Sequence, residues 1–112
     1  MPHGKHLIVD VDNIGNFHLL GKLEGVTPLM QSIIKKCKLN VKQFCSHQFE
    51  PYGCTMLYLL AESHFSIHTF PEYRACSIDI YTCNMNTDFN LALDLISKYF
   101  DTPLISKNIL TR

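Results

Sequence analysis

The sequence predicts an α+β protein, with one mainly antiparallel sheet carrying two helices on one of its faces. Three observations support this. Period-two alternation recurs in short runs at 41–49, 65–70 and 75–83. Helical periodicity appears twice, over 29–37 and 89–100. The connections between strand-like runs are short, which favours antiparallel pairing over the crossovers of a doubly wound parallel sheet. A chain of 112 residues can bury one core and leaves little for a second, so residues 1–112 are expected to form a single domain.

Residues 6–11, HLIVDV, are apolar and β-branched enough for a first strand, followed by Asp12, Asn13 and Gly15 as turn material. Gly21 and Gly25 bracket a loop. Thr27 then offers an N-cap with Pro28 at the first helical position, and apolar residues recur at Leu29, Met30, Ile33, Ile34 and Cys37. A second strand runs from Val41 to Phe49. Its alternation sets Val41, Gln43, Cys45 and His47 against Phe44, Ser46 and Gln48, and Pro51-Tyr52-Gly53 turns the chain back. Thr55–Ala61 is apolar at nearly every position and Phe65–Phe70 alternates, so these are expected to be successive strands with Glu62-Ser63-His64 at or near the bend between them. Ala75–Cys83 alternates again, with Cys76, Ile78, Ile80 and Thr82 on one face. Thr87-Asp88 opens a second amphipathic helix carrying Phe89, Leu93, Ile96 and Phe100, which ends at Asp101 and Pro103. A short strand over Leu104–Leu110 completes the chain.

A sheet with helices on one face has a second face, and strands as apolar as TMLYLLA require that face to be covered. A homodimer with its sheet faces pairing is expected. The formal charge is zero, with ten basic and ten acidic side chains, and no stretch is basic enough to follow a phosphate backbone, so nucleic acid is not an expected partner. Lys35, Lys36, Lys38 and Lys42 sit at a helix end, where cations complement the dipole. No apolar run approaches the roughly 18 residues that span a bilayer, and the first residues lack a signal-peptide core, so the expectation is no membrane association and a cytoplasmic location. Five cysteines at irregular spacing, without a CxxC pair, read as reduced thiols, mostly in the core.

Candidate chemistry begins with His64 and His68. On a helix this HxxxH pair would suit zinc; on a strand the two share a face but stand ~13 Å apart, too far for one ion. The alternation around His68 favours the strand, so no metal is expected. Ser63 lacks the GxSxG elbow of a hydrolase nucleophile, and Cys83 has no flanking signature of a catalytic cysteine. Taken singly, His68 and Cys83 read as ordinary strand residues.

Taken together, the motifs carry more. Phe49, Pro51, Gly53 and Thr55 match F-x-P-x-G-x-(S/T), and Glu62 to His68 match ESHxxIH. Phe70 to Glu72 match (W/F)PE, and Ile78, Asp79 and Cys83 match (I/V)D-x-x-x-C. With Gly4 to Leu7 as GxHL, an early acidic position and the total length, the chain resembles the prokaryotic type of S-adenosylmethionine decarboxylase proenzyme. The resemblance implies a chain that cleaves itself between Glu62 and Ser63, giving residues 1–62 and 63–112. A serine hydroxyl can attack the preceding carbonyl and turn the amide into an ester. Elimination of the ester leaves a dehydroalanine, which hydrolyses to an amino-terminal pyruvoyl group at position 63. That ketone forms a Schiff base with the substrate amine and takes up the electrons left by carbon dioxide, so neither a metal nor pyridoxal phosphate is needed.

By the same resemblance His68 is the proton donor of self-processing, assisted by Thr55, and Cys83 reprotonates the substrate after decarboxylation. Both His68 and Cys83 lie on segments that can face Ser63. Phe49 stacks on adenine and Glu72 holds the ribose hydroxyls, although their ordinary readings are a core phenylalanine and an exposed glutamate. The chain departs from the pattern at Arg74 and Asn84, where glycine is usual. Asn tolerates a left-handed backbone; Arg74 is either a solvated strand-end residue or a contact to the substrate carboxylate or the neighbouring subunit. The expected product is the aminopropyl donor for spermidine synthesis. The alternatives are a pyruvoyl-dependent decarboxylase of arginine or ornithine, and a non-catalytic homologue acting as a binding subunit.

Overall fold

The computed structural model describes residues 3–103 and 105–112. Six strands form one antiparallel sheet: β1 (Lys5–Val11), β2 (Val41–Gln48), β3 (Cys54–Leu60), β4 (Ser63–Phe70), β5 (Ala75–Thr82) and β6 (Ile105–Thr111), in the spatial order β2-β3-β4-β5-β1-β6. Helices α1 (Leu23–Lys36) and α2 (Phe89–Phe100) pack on one face. The α+β architecture expected from the sequence is the one observed. Leu104, placed at the start of the last strand, lies outside the described residues.

Alternation explains where the core sits. Leu7, Val9 and Val11 on β1, Phe65 and Ile67 on β4, and Cys76, Ile78 and Ile80 on β5 all point to the helices and are at most 2% exposed. They meet Val26, Leu29, Met30 and Ile33 of α1 and Ala92, Ile96 and Phe100 of α2. Asp88 caps α2 as expected, its carboxylate accepting the Asn90 N–H at 3.0 Å. Among the described residues, no helix is long and apolar enough to cross a membrane.

Three local expectations are corrected. First, α1 starts at Leu23, so Gly25 belongs to its first turn and Pro28 is its sixth residue, not its first. The cap is not local: the Gln48 side chain on β2 accepts the Leu23 N–H at 2.9 Å and donates to the Gly21 carbonyl at 2.8 Å. Thr27, instead of capping, donates its hydroxyl back to the Leu23 carbonyl at 2.7 Å. Second, Gly25 is there because a Cβ at this position would overlap the Leu19 carbonyl in the 3-10 turn Phe17–Leu20, and its own carbonyl accepts the Tyr99 hydroxyl at 2.5 Å. Gly25→Ala should therefore destabilise the fold by about 1–3 kcal/mol, the usual cost of overpacking against backbone, read as a lower Tm by calorimetry. Third, an irregularity between Val41 and Gln43 takes Val41 out of the row of Gln43, Cys45 and His47. Its side chain packs against the core instead.

The face away from the helices carries Leu57, Leu59, Phe70 and Leu110, all at least 40% exposed. Interleaved with them are His6, Asp10, His64, His68, Asp79 and Tyr81.

Candidate active site at the β3–β4 hairpin

The β4–β5 ladder keeps one register, with Phe65 opposite Ile80 and His64 opposite Tyr81. Carried two residues on, it sets Glu62 against Cys83, just past the paired ends of both strands. The contact is made: the Cys83 thiol donates to the Glu62 carbonyl oxygen at 3.0 Å. On the other side of β4, Leu60 pairs with Ser63, which leaves Ala61 and Glu62 alone to turn the chain. Glu62 accordingly has φ 69°. In a residue other than glycine this left-handed backbone costs roughly 1–2 kcal/mol. The strained residue is the one whose carbonyl belongs to the Glu62–Ser63 bond. The Ala61 N–H is held by the Asn40 carbonyl at 3.0 Å, and the Ser63 hydroxyl turns back to the Ala61 carbonyl at 3.4 Å.

Lys38, Leu39 and Asn40, beyond the end of α1, form one wall of a cleft of about 420 Å³ whose other walls are Leu60–Ser63 and Thr82–Asn84. No motif in the sequence marks these three residues as part of a site. The signal that points to them is the end of the helix pattern at Cys37, since the link to an adjacent edge strand must pass the hairpin's end. The remaining cysteines stand apart from this chemistry. Burial pushes the Cys37, Cys54 and Cys76 thiols up from their ordinary value, so they stay protonated and unreactive at neutral pH. Cys45 is exposed on β2.

A second group assembles elsewhere. Thr55 and His68 are cross-strand partners, with Thr55 Oγ1 and His68 Nδ1 3.0 Å apart. Phe49 lies just past β2, exposed, its ring edge-on to His47 at 4.6 Å. Glu72 is exposed in the 3-10 turn Pro71–Tyr73. Arg74 takes the left-handed conformation (φ 52°) that the turn requires and sets its guanidinium 4.2 Å from the Phe17 ring centre. This group occupies the opposite end of the sheet from Ser63. Five residues of strand separate Ser63 from His68, ~16 Å at ~3.3 Å per residue. Parity separates them too, since Ser63 continues the helix-facing row of Phe65 and Ile67, whereas His68 faces the open side. The structure sets Cys83 on the Glu62 carbonyl, next to Ser63, and does not bring His68 of the same chain to Ser63.

Residues 5–112 match the family model described as S-adenosylmethionine decarboxylase. A protein of Picrophilus torridus named S-adenosylmethionine decarboxylase proenzyme is 37% identical over 95 residues, covering 85% of this chain and 72% of its own length. A Bacillus cereus protein named S-adenosylmethionine decarboxylase proenzyme 2 is 38% identical over 93 residues, 83% of this chain and 75% of its own. The crystal structure of the adenosylmethionine decarboxylase from Aquifex aeolicus superimposes with a TM-score of 0.88 at 29% identity, covering 99% of this chain and 91% of the other.

Proposed function

The chain belongs to the S-adenosylmethionine decarboxylase family, and on that premise we propose that it is a proenzyme that cuts its own Glu62–Ser63 bond and then decarboxylates S-adenosylmethionine. The observation that carries this reading is the Cys83 thiol on the Glu62 carbonyl oxygen, beside a left-handed Glu62. Attack by Ser63 Oγ on the Glu62 carbonyl carbon forms the new C–O bond. As the C–N bond breaks, an ester and a free amine remain. Negative charge gathers on the Glu62 oxygen during the attack, at the atom to which the thiol donates. Loss of the Ser63 α-proton then expels Glu62 as a carboxylate, and water hydrolyses the dehydroalanine, releasing ammonia.

The pyruvoyl group so formed supplies an electrophilic ketone that holds the substrate amine and takes up the electrons released with carbon dioxide. Around it, Cys83 delivers a proton to the substrate α-carbon. Phe49 offers a ring face to adenine and Glu72 a carboxylate to the ribose hydroxyls. Thr55 orients the His68 ring through its contact with Nδ1, leaving the other ring nitrogen for proton transfer. Arg74, held on Phe17, presents its guanidinium to the substrate carboxylate or to a neighbouring subunit.

One chain cannot bring both groups to one place, and a second copy can. A two-fold axis that lies between the open faces and perpendicular to the strands reverses the strand direction, setting the His68 end of each copy beside the Ser63 end of the other. The apolar side chains Leu57, Leu59, Phe70 and Leu110 on that face supply the contact area such a dimer needs. The cut itself is tolerable for the fold. Residues 1–62 contribute β1, α1, β2 and β3 and residues 63–112 contribute β4, β5, α2 and β6, so the ladders β3–β4, β1–β5 and β1–β6 all bridge the two pieces.

Intact-mass measurement on denatured protein tests the reading. Two fragments divided after Glu62 are expected, the second gaining two hydrogens on borohydride reduction. A single chain of full mass in purified protein overturns it in favour of a non-catalytic homologue. Carbon dioxide release from S-adenosylmethionine, and none from arginine or ornithine, is expected; the reverse overturns the substrate.

A further inference from the structure

Three side chains that the proposed reaction does not use meet on the open face. In the sheet, β5 lies between β4 and β1. His64 of β4 and His6 of β1 are both opposite Tyr81, one on each side, and Asp79 is two residues back from Tyr81 on the same face. One ligand atom of each, His6, His64 and Asp79, lies within 4.8 Å of the other two. His6 Nε2 and Asp79 Oδ2 are 3.3 Å apart, and the His6 and His64 rings stand edge-on with centres 5.9 Å apart. Tetrahedral zinc with bonds of ~2.0–2.1 Å needs ligand atoms ~3.3–3.4 Å from one another. The His6–Asp79 pair already has this spacing. His64 has to close by only ~1.5 Å, within reach of a rotation about its side-chain bonds; it is exposed in the single chain, on the face that the proposed dimer turns toward a second copy.

We propose that His6, His64 and Asp79 bind a divalent d-block cation, best matched to Zn2+, with the fourth position open. Two borderline imidazole nitrogens beside one hard carboxylate oxygen suit zinc over magnesium or calcium, which want oxygen ligands alone. The site differs from the His64–His68 pair of the sequence, which the strand keeps too far apart for one ion. Arg112, whose guanidinium is 4.9 Å from the Tyr81 ring centre, adds positive charge beside His64 and moderates the affinity. The ion takes no part in the chemistry. If the chain is cut after Glu62, which rests on the proposed processing, His6 belongs to one fragment and His64 and Asp79 to the other. The ion then ties together two pieces that no longer share a peptide bond.

Tag-free, chelator-treated Ser63→Ala protein, which stays uncut, should take up one Co2+ per chain with the intense visible absorption of low-coordinate cobalt, displaced by Zn2+. His6→Ala and Asp79→Asn should each weaken binding at least tenfold, while His18→Ala, a surface histidine elsewhere, should not change it. Absence of saturable Co2+ binding, or binding indifferent to both His6→Ala and Asp79→Asn, overturns the site whatever the fate of the processing scheme. In cut wild-type protein Zn2+ should raise the urea midpoint for fragment separation; an unchanged midpoint with Zn2+ bound overturns the tie and leaves the site standing.

Discussion

Chains carrying Ser63→Ala and chains carrying His68→Ala, each inactive alone, should recover decarboxylation when co-expressed, to roughly a quarter of the wild-type rate. The figure follows from the geometry. Ser63 and His68 sit at opposite ends of one sheet, so in the proposed dimer a working site takes Ser63 from one copy and His68 from its partner. In a mixed dimer one site receives both intact residues and the other receives neither. Random pairing makes about half of the dimers mixed, each with one of two sites intact. Mixed dimers isolated through two different tags should reach about half of the wild-type rate by carbon dioxide release, and in them only the His68→Ala chain should be cut. Were His68 to act on Ser63 of its own chain, no pairing would restore a site, and the mixture would stay at background. The contrast is large, because removing a general acid or base costs about 10²–10⁴-fold and removing Ser63 removes the cofactor's precursor altogether.

What the amino-acid sequence reveals of this fold and site depends on whether the signal is local. Alternation on β4 and β5 is enough to place Phe65, Ile67, Ile78 and Ile80 on one face, and the extended rise of the strand it implies keeps His64 and His68 too far apart to share an ion. Asp88 can be read as a cap because its partner, Asn90, is two residues away. The start of α1 cannot be read in the same way, because Gln48, which receives its first N–H, is 25 residues distant. Thr27-Pro28 therefore looks like a beginning although it lies inside the helix. The motif blocks name Ser63, Thr55, His68 and Cys83 but carry no distances. That Cys83 falls on the Glu62 carbonyl follows only from the β4–β5 register, and that His68 does not reach Ser63 follows only from both lying on the same straight strand. The grouping of His6, His64 and Asp79 depends on the order in which β1, β5 and β4 lie side by side, which no stretch of sequence states.

The proposed function gives Cys83 a part in both stages, and the two parts should separate on substitution. Before the cut its S–H donates to the Glu62 oxygen at 3.0 Å, where charge develops as Ser63 attacks. A full oxyanion donor is worth about 10²–10³-fold, but a thiol is a weak donor, so Cys83→Ala should slow the cut by only about tenfold, followed by intact mass over time. In the proposed reaction Cys83 acts as an acid after the cut, where the usual contribution is about 10²–10⁴-fold. Fully processed Cys83→Ala protein should therefore lose at least about 10² in kcat, or about 2.7 kcal/mol of transition-state stabilisation. Cys83→Ser distinguishes the roles, because a hydroxyl donates a better hydrogen bond than a thiol yet is a far poorer acid at neutral pH. It should cut at close to the wild-type rate and turn over as poorly as Cys83→Ala. If Cys83→Ser cuts as slowly as Cys83→Ala, the hydrogen bond to Glu62 does not assist the cleavage. If kcat survives in either variant, the proton comes from another group, and the thiol serves only to hold the scissile carbonyl in place.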